Sequence, residues 1–334
     1  TTGFLTITML AGGKGAAATA IKVSGKVIDP SKVTKEDVIG AVDPSTGAET
    51  GAQVIRQVYP RLGIVPGLIL APGWSQIPEV GLALAAKAAK INGVYSAMAL
   101  LDLDTAKAKK YTDTKSVKEE SGYTSPFCYP LWPCDRVGEY ILAKSAVAGA
   151  MIQYMASDNE DVPNQSPSNH LLGVGGQCLE DGTEVYLDQD QANTVNGYGV
   201  TTAINQNGYR LWGNYTGAYP ASSDAKDIWF AVRRMFSWQG NNFIQTYFDE
   251  VDDPMNNVLV QSVVDSENIR CSAYAPKYWA GASIEYKSDD NPKTAILAGT
   301  MKFRQHIAPY TPAQEIVDII DYDTDTLAAA VGGN

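Results

Sequence analysis

Ile64-Val-Pro-Gly-Leu-Ile-Leu-Ala71 is a mostly apolar run bounded by Pro-Gly pairs. It predicts a short strand buried on both faces, since a strand with one wet face alternates apolar and polar residues. Ser75 is the expected N-cap of an Ala-rich helix reaching about residue 91, with Pro78 and Glu79 in its first turn. A second apolar run covers residues 94–103. Strand, helix, strand in that order predicts a right-handed parallel crossover, and hence an α/β core.

Working outward from that unit, residues 125–131 give a further strand. Val137, Tyr140, Ile141, Lys144, Val147, Ala148, Met151, Ile152 and Met155 then fall on one helical face, with Ala146, Gly149 and Ala150 small enough for close packing. A polar loop over 157–169 leads into short β runs to residue 216, including the turn glycine and apolar-aromatic strand Asn207-Gly-Tyr-Arg-Leu-Trp-Gly-Asn-Tyr-Thr216. Amphipathic helices are expected over 225–247 and 255–277, the first carrying Val232-Arg-Arg234. Residues 283–287 and 294–306 read as an antiparallel pair around Asp289-Asp-Asn-Pro292. In the tail, Glu315-Ile-Val-Asp-Ile-Ile-Asp-Tyr-Asp-Thr-Asp325, a capping box at 311–314 favours a helix and the β-branched residues a strand; we take an extended strand. Upstream, Phe4-Leu-Thr-Ile-Thr-Met9 and Ala20-Ile-Lys-Val-Ser24 alternate as strands, Asp29-Pro30 and Asp43-Pro44 signal turns, and 31–40 holds a short helix. The expected architecture is α/β and multi-domain. It has a small β-rich module at 1–55, a central mixed sheet with flanking helices at 56–290, and C-terminal strands with an arm at 291–334.

The bulk numbers narrow the function classes. The 334 residues carry 26 basic and 37 acidic side chains, a net charge of −11. Nucleic-acid binding needs a clustered positive field and is not expected. No stretch reaches the 18 or more apolar residues of a spanning helix. Thr1 opens the chain with no signal-peptide pattern, which reads as a trimmed N-terminus. Cys128, Cys134, Cys178 and Cys271 lack metal or redox spacing, even with His170 and His306 counted, so free thiols are expected.

Residues with chemical potential are few. Leu100-Leu-Asp-Leu-Asp-Thr105 resembles the nucleophile loop of haloacid-dehalogenase phosphatases, with Asp102 as nucleophile, Asp104 as acid/base and Asp252-Asp253 loosely completing a Mg²⁺ site. That family opens on this strand, whereas here a strand–helix pair precedes it. Gly13-Lys-Gly-Ala-Ala-Ala18 matches a dinucleotide fingerprint without the helix that should come next. Asp188-Gln-Asp190 begins like a calcium loop but lacks its glycine and closing glutamate. Tyr and Trp content leaves a β-rich carbohydrate-binding module as a further reading. Arg233 and Arg234, adjacent on a helix, suit a subunit contact.

The order of motifs resembles the contractile tail sheath family of bacteriophages and phage-tail-like particles, in its P2-like prophage branch. The resemblance runs from about residue 20 to the C-terminus. It rests on Ile21-Lys-Val-Ser-Gly-Lys-Val-Ile-Asp-Pro30, Gly63-Ile-Val-Pro-Gly-Leu-Ile-Leu-Ala-Pro-Gly73, Tyr129-Pro130, Ala146-Val-Ala-Gly149, Ser166-Pro-Ser-Asn169, Gly208-Tyr-Arg-Leu-Trp-Gly213 and Val232-Arg-Arg234. It implies a subunit without enzymatic activity, cofactor, metal or small-molecule substrate, which polymerises with itself around a tail tube and meets baseplate and terminator proteins. Its place would be the virion tail, assembled in the host cytoplasm. It also implies terminal arms that add strands to neighbouring sheets, here the acidic Glu315, Asp318, Asp321, Asp323 and Asp325 segment reaching a basic groove. Family members usually extend upstream of the position of Thr1, so this chain alone is expected to be mainly monomeric.

Overall fold

A computed structural model describes residues 11–13 and 29–332. The expected strands at 4–9 and 20–24, and all of the glycine-rich motif after Gly13, lie outside the described residues. Thr1–Thr34 and Lys35–Asn334 form two units. In the first, Asp29 accepts from Ser31 N–H and Oγ and caps a 3-10 turn at Pro30–Lys32.

The second unit starts with α1 (Lys35–Ile39) and a 3-10 turn, Gly51–Gln57, that runs into α2 (Val58–Leu62). Between 29 and 55 the described residues form turns and short helices with one isolated bridge, Val42 to Glu49, and no strand. The anticipated β character is absent there. Asp43 instead gathers Ser45 and Thr46 into a tight turn.

The deciding stretch forms β1 (Leu68–Leu70), shorter than expected because Pro66 and Gly67 end the extended pairing upstream. Then come α3 (Pro78–Ala89), β2 (Met98–Asp102), α4 (Thr114–Ser121) and β3 (Cys128–Leu131). The strands pair in parallel in the order β1-β2-β3. Every residue of β2 is buried, and its two faces feed different cores. Ala99 and Leu101 pack with Val80, Leu84, Ala85 and Ala88 of α3. Met98 and Leu100 pack with Ala148 and Ile152, both within a helix over residues 144–158. Alternate residues of one strand thus serve both layers, which is why the run contains no exposed polar position.

The helix expected from Val137 starts later. Residues 134–142 form a hairpin, β4 (Cys134–Val137) and β5 (Tyr140–Leu142), turning at Gly138 with φ of 59°, and α5 is Lys144–Asp158. β6 (Gly176–Cys178) adds to β4. After α6 (Gln189–Gly197), β7 (Thr202–Asn205) and β8 (Tyr209–Trp212) form a second hairpin around Asn207 and Gly208. This hairpin is tied to the parallel sheet where Trp132 N–H donates to the Thr201 carbonyl and Tyr129 Oη to the Gly213 carbonyl. Gly213 has φ of 154°, and a Cβ there would lie 2.5 Å from Thr201 Oγ1 and 2.9 Å from its Cα. Gly213→Ala is therefore expected to cost about 2–4 kcal/mol in urea unfolding, from backbone strain and overpacking together. A loss under about 0.5 kcal/mol, the size of an ordinary surface change, would contradict that packing.

The helix expected over 225–247 is broken. Trp229 is extended (φ −90°, ψ 122°) and separates α7 (Ala225–Ile228) from α8 (Phe230–Thr246). The break is held by Thr216 N–H donating to the Ile228 carbonyl and Phe230 N–H to the Asn214 carbonyl. α9 (Asn257–Ala273) packs on the antiparallel pair β9 (Trp279–Glu285) and β10 (Arg304–Pro309). Part of the second expected strand is instead α10 (Lys293–Leu297), because Asn291 pins Lys302 through both main-chain groups and closes the loop before β10 begins. Glu267, fully buried, gathers Arg270, Gln239, Tyr247 and Gln305 and so stitches α8, α9 and β10 together. No described helix is long and apolar enough to cross a membrane.

The tail is neither the expected strand nor a helix from 311. Residues 310–323 run without secondary structure and end in α11 (Thr324–Ala330), capped by Asp323. The β-branched residues have no described sheet beside them in this chain to complete a strand.

Candidate assembly surface

Asp102 is a structural bolt. Its Oδ1 accepts from Ser145 N–H at 2.8 Å, and its Oδ2 from Ser145 Oγ at 2.5 Å and Ser75 Oγ at 3.0 Å. Ser75, expected to cap α3, is drawn away by this bond, and Ile77 takes the cap position ahead of Pro78. The carboxylate sits at the N-terminus of α5, where free N–H groups favour negative charge. Burial nevertheless holds its pKa above the usual carboxylate range. A nucleophilic aspartate needs an oxygen free to attack. Both oxygens of Asp102 are engaged, Asp104 accepts from Ala106 N–H in a turn, and Asp252 and Asp253 lie on an exposed turn. Among the described residues no group of three or more His, Cys, Asp or Glu could hold a metal ion. Nothing in this geometry favours the phosphatase reading.

Two buried lysines, Lys144 from the predicted helical face and Lys118 unmarked by sequence, fix the surroundings. Lys144 and Asp135, both fully buried, form an ion pair across the start of α5 and β4. Burial raises the Asp135 pKa while Lys144 opposes the rise. Lys118 donates from Nζ to the carbonyls of Tyr198 at 2.9 Å and Tyr219 at 2.5 Å. Burial pushes its pKa down to about 8, against about 10.4 for a free lysine. Between those values the native state binds fewer protons than the unfolded chain, so stability rises with pH there. From pH 8 to 10 this term should contribute about 2 kcal/mol, read as the difference in slope between native protein and Lys118→Met. Equal slopes in the two proteins would contradict it.

The two adjacent arginines have different surroundings. Arg233 reaches Asp227 at 3.2 Å and lies over the rings of Phe127, 4.8 Å, and Phe236, 5.6 Å. On a continuous helix residues six apart do not face each other, so this pair depends on the break at Trp229. Arg234 lies over Phe230 at 5.6 Å and has no ion pair among the described residues. Burial draws its pKa down to about 10.

The arm is exposed throughout. Tyr310 is anchored by its Oη to the Pro276 carbonyl, and residues 312–316 edge a hollow beside Ser166, Asn169, Trp212 and Asn214. Beyond it Ile316, Ile319, Ile320 and Tyr322 are 90%, 80%, 87% and 75% exposed. Glu315, Asp318 and Asp321 are exposed too, and no described residue forms an ion pair with them. Single exposed apolar residues are common, but a contiguous run marks a surface meant to be covered. Asp323 differs from the other arm acids: its carboxylate accepts from Thr326 N–H and Oγ1, which lowers its pKa.

The quoted motifs also meet in space. Residues 168–172 run beside β8, with Asn169 N–H donating to the Leu211 carbonyl, Gly213 N–H to Ser168 Oγ, and Arg210 Nη1 to the Asn169 carbonyl. No family model matches the chain. The tail sheath protein of Burkholderia phage BcepMu is 26% identical over 95% of this chain and 68% of its own length. The tail sheath protein of Escherichia phage P2 is 24% identical over 85% of this chain and 69% of its own. The chain is similar to the tail sheath proteins of these contractile phage tails. Its fold agrees. The sheath of an extracellular contractile injection system in its contracted state superposes with a TM-score of 0.65 at 17% identity, covering 83% of this chain and 76% of the other. The residues of interest are those left exposed or without a partner. Sequence reasoning named the arm and both arginines, but missed Ser237 of α8, whose buried Oγ has no hydrogen-bond partner. A lone serine in an amphipathic helix gives no signal of that kind.

Proposed function

We infer that the chain is a structural subunit of a contractile sheath, polymerising helically with its own copies around a tail tube and contracting to drive the tube through a bacterial envelope. The exposed acidic and apolar arm carries this reading, since its run of uncovered apolar side chains needs a partner surface. The sheath relatives and the contracted-sheath likeness support it. Arms exchanged between rigid bodies would keep subunits linked while the bodies rotate during contraction. The work is mechanical and requires no catalytic residue, cofactor or metal. The tube protein, baseplate and tail terminator are the proposed further partners, with assembly in the host cytoplasm before release as part of a tail particle. Arg233 and Arg234, with the arm acids Glu315, Asp318, Asp321, Asp323 and Asp325, are the proposed contact residues.

Antibody against this chain should decorate particle tails along their whole length in immunogold electron microscopy. Decoration confined to tail tips or capsids would contradict the assignment. With Mg²⁺ and a generic phosphate ester, the native protein should turn over no faster than Asp102→Asn.

A further inference from the structure

We propose that Cys134 and Cys178 form a reversible redox site, a dithiol that closes into a disulfide across β4 and β6 in oxidising surroundings. Both are free thiols in the structure, as are Cys128 and Cys271. Their spacing along the chain matches no redox motif, but the sheet brings two of them together. In the antiparallel pairing of β4 with β6, Cys134 lies directly opposite Cys178. Directly opposite residues send their side chains to the same face of a sheet. On its other side Cys178 lies opposite Glu184, in a pair flanked by Leu179 N–H donating to the Thr183 carbonyl and Val185 N–H to the Gln177 carbonyl. The main-chain groups of Cys178 therefore point toward β4. That makes Cys134 and Cys178 a hydrogen-bonded pair, with Cα atoms about 5.5 Å apart. The usual Cα spacing of a disulfide is about 5.5–6 Å. The Cβ atoms of opposed residues stand about 4.5–5.5 Å apart, wider than the mean of about 3.8 Å in a bridge. Closure thus draws the strands together and leaves a bond that is readily reduced.

The two sulfurs differ in access. Cys134 is half-buried and lines a hollow of about 300 Å³ with Asp102, Thr105, Ala143, Ala146 and Glu180, whereas Cys178 is fully buried. A small disulfide such as oxidised glutathione therefore meets Cys134 first. The Cys134 thiolate attacks one sulfur of that reagent, forming a mixed disulfide and releasing one glutathione thiolate. Cys178 Sγ then attacks Cys134 Sγ, breaking the mixed disulfide and releasing the second. The two protein thiols lose two electrons and two protons, and the reagent leaves as two thiols. Burial, with Asp102 adding to it, pushes the Cys134 thiol up to about 12, so the exchange is slow. Once closed, the bond joins two braced strands. β4 holds Lys144 of α5 through Asp135, and β6 holds Ala203 of β7 through the Gln177 side chain.

The test equilibrates the folded full chain with oxidised glutathione until its thiol count is constant. The remaining thiols are then alkylated and the peptides mapped by mass spectrometry. The proposal expects the loss of two thiols of the four, as a Cys134–Cys178 link that dithiothreitol reverses, with Cys128 and Cys271 alkylated. Cys178→Ala should stop at the glutathione adduct on Cys134, and a variant without that adduct would overturn entry through Cys134. Native protein that keeps all its thiols, or that stops at the same adduct, overturns the proposal. So does a link that forms only in urea, since the folded register would then not bring the sulfurs within reach. Pairing of Cys134 with a cysteine of another copy, seen as a dimer on a non-reducing gel, overturns it too.

Discussion

Replacing Lys144 with alanine should lower the free energy of unfolding by about 3–5 kcal/mol, the usual cost of leaving a buried charge unpaired. Asp135 has no exposed surface and its Oδ2 already lacks a partner, so water cannot replace the lost ammonium without opening the core. The loss should appear as a shifted urea midpoint with an unchanged slope, since the surface exposed on unfolding stays the same. Burial already raises the Asp135 pKa, and without Lys144 it should rise further. A raised native pKa means the penalty is full above that pKa and shrinks as pH falls through it toward about 4, the unfolded value. The double variant Asp135→Leu with Lys144→Met should recover most of the loss, because an apolar pair of similar volume needs no desolvation of charge. A Lys144→Ala protein within about 1 kcal/mol of native would contradict the buried pair.

Deleting residues 311–334 should abolish helical assembly while leaving the fold within about 0.5 kcal/mol of native. Both halves of that expectation come from one observation. The arm is exposed along its length, so its removal takes away little that stabilises its own chain. Pelleting of assemblies from lysate, beside denaturant unfolding of the soluble protein, measures both. Intact assemblies without the arm would remove the main support for arm exchange. Large destabilisation would show that the arm packs on its own subunit.

What the sequence made legible was set by local chemistry. The apolar runs at 64–71 and 94–103 announced strands covered on both sides, and β2 does feed two cores with alternate residues. Turn glycines at 208 and 213 framed β8. The misplacements have long-range causes. Ser75 was expected to cap α3, but a partner 27 residues away, Asp102, takes its hydroxyl. The helix expected from Val137 yields to a hairpin at Gly138, and α5 starts where the Asp102 carboxylate meets its first turn. The break at Trp229 is held by main-chain bonds to residues 214 and 216, which no periodicity within the helix can announce. The adjacent arginines show the same limit. Sequence placed them together on one helix, while the kink gives Arg233 an internal carboxylate and leaves Arg234 without one among the described residues.

Self-assembly into a sheath is the property that can be seen directly. Negative-stain electron microscopy of the protein expressed from its complete reading frame tests it most directly. Striated tubes with a hollow axis wide enough for a tail tube are the expected result. A uniformly monomeric protein at high concentration, with or without the tube subunit of the same particle, would contradict it.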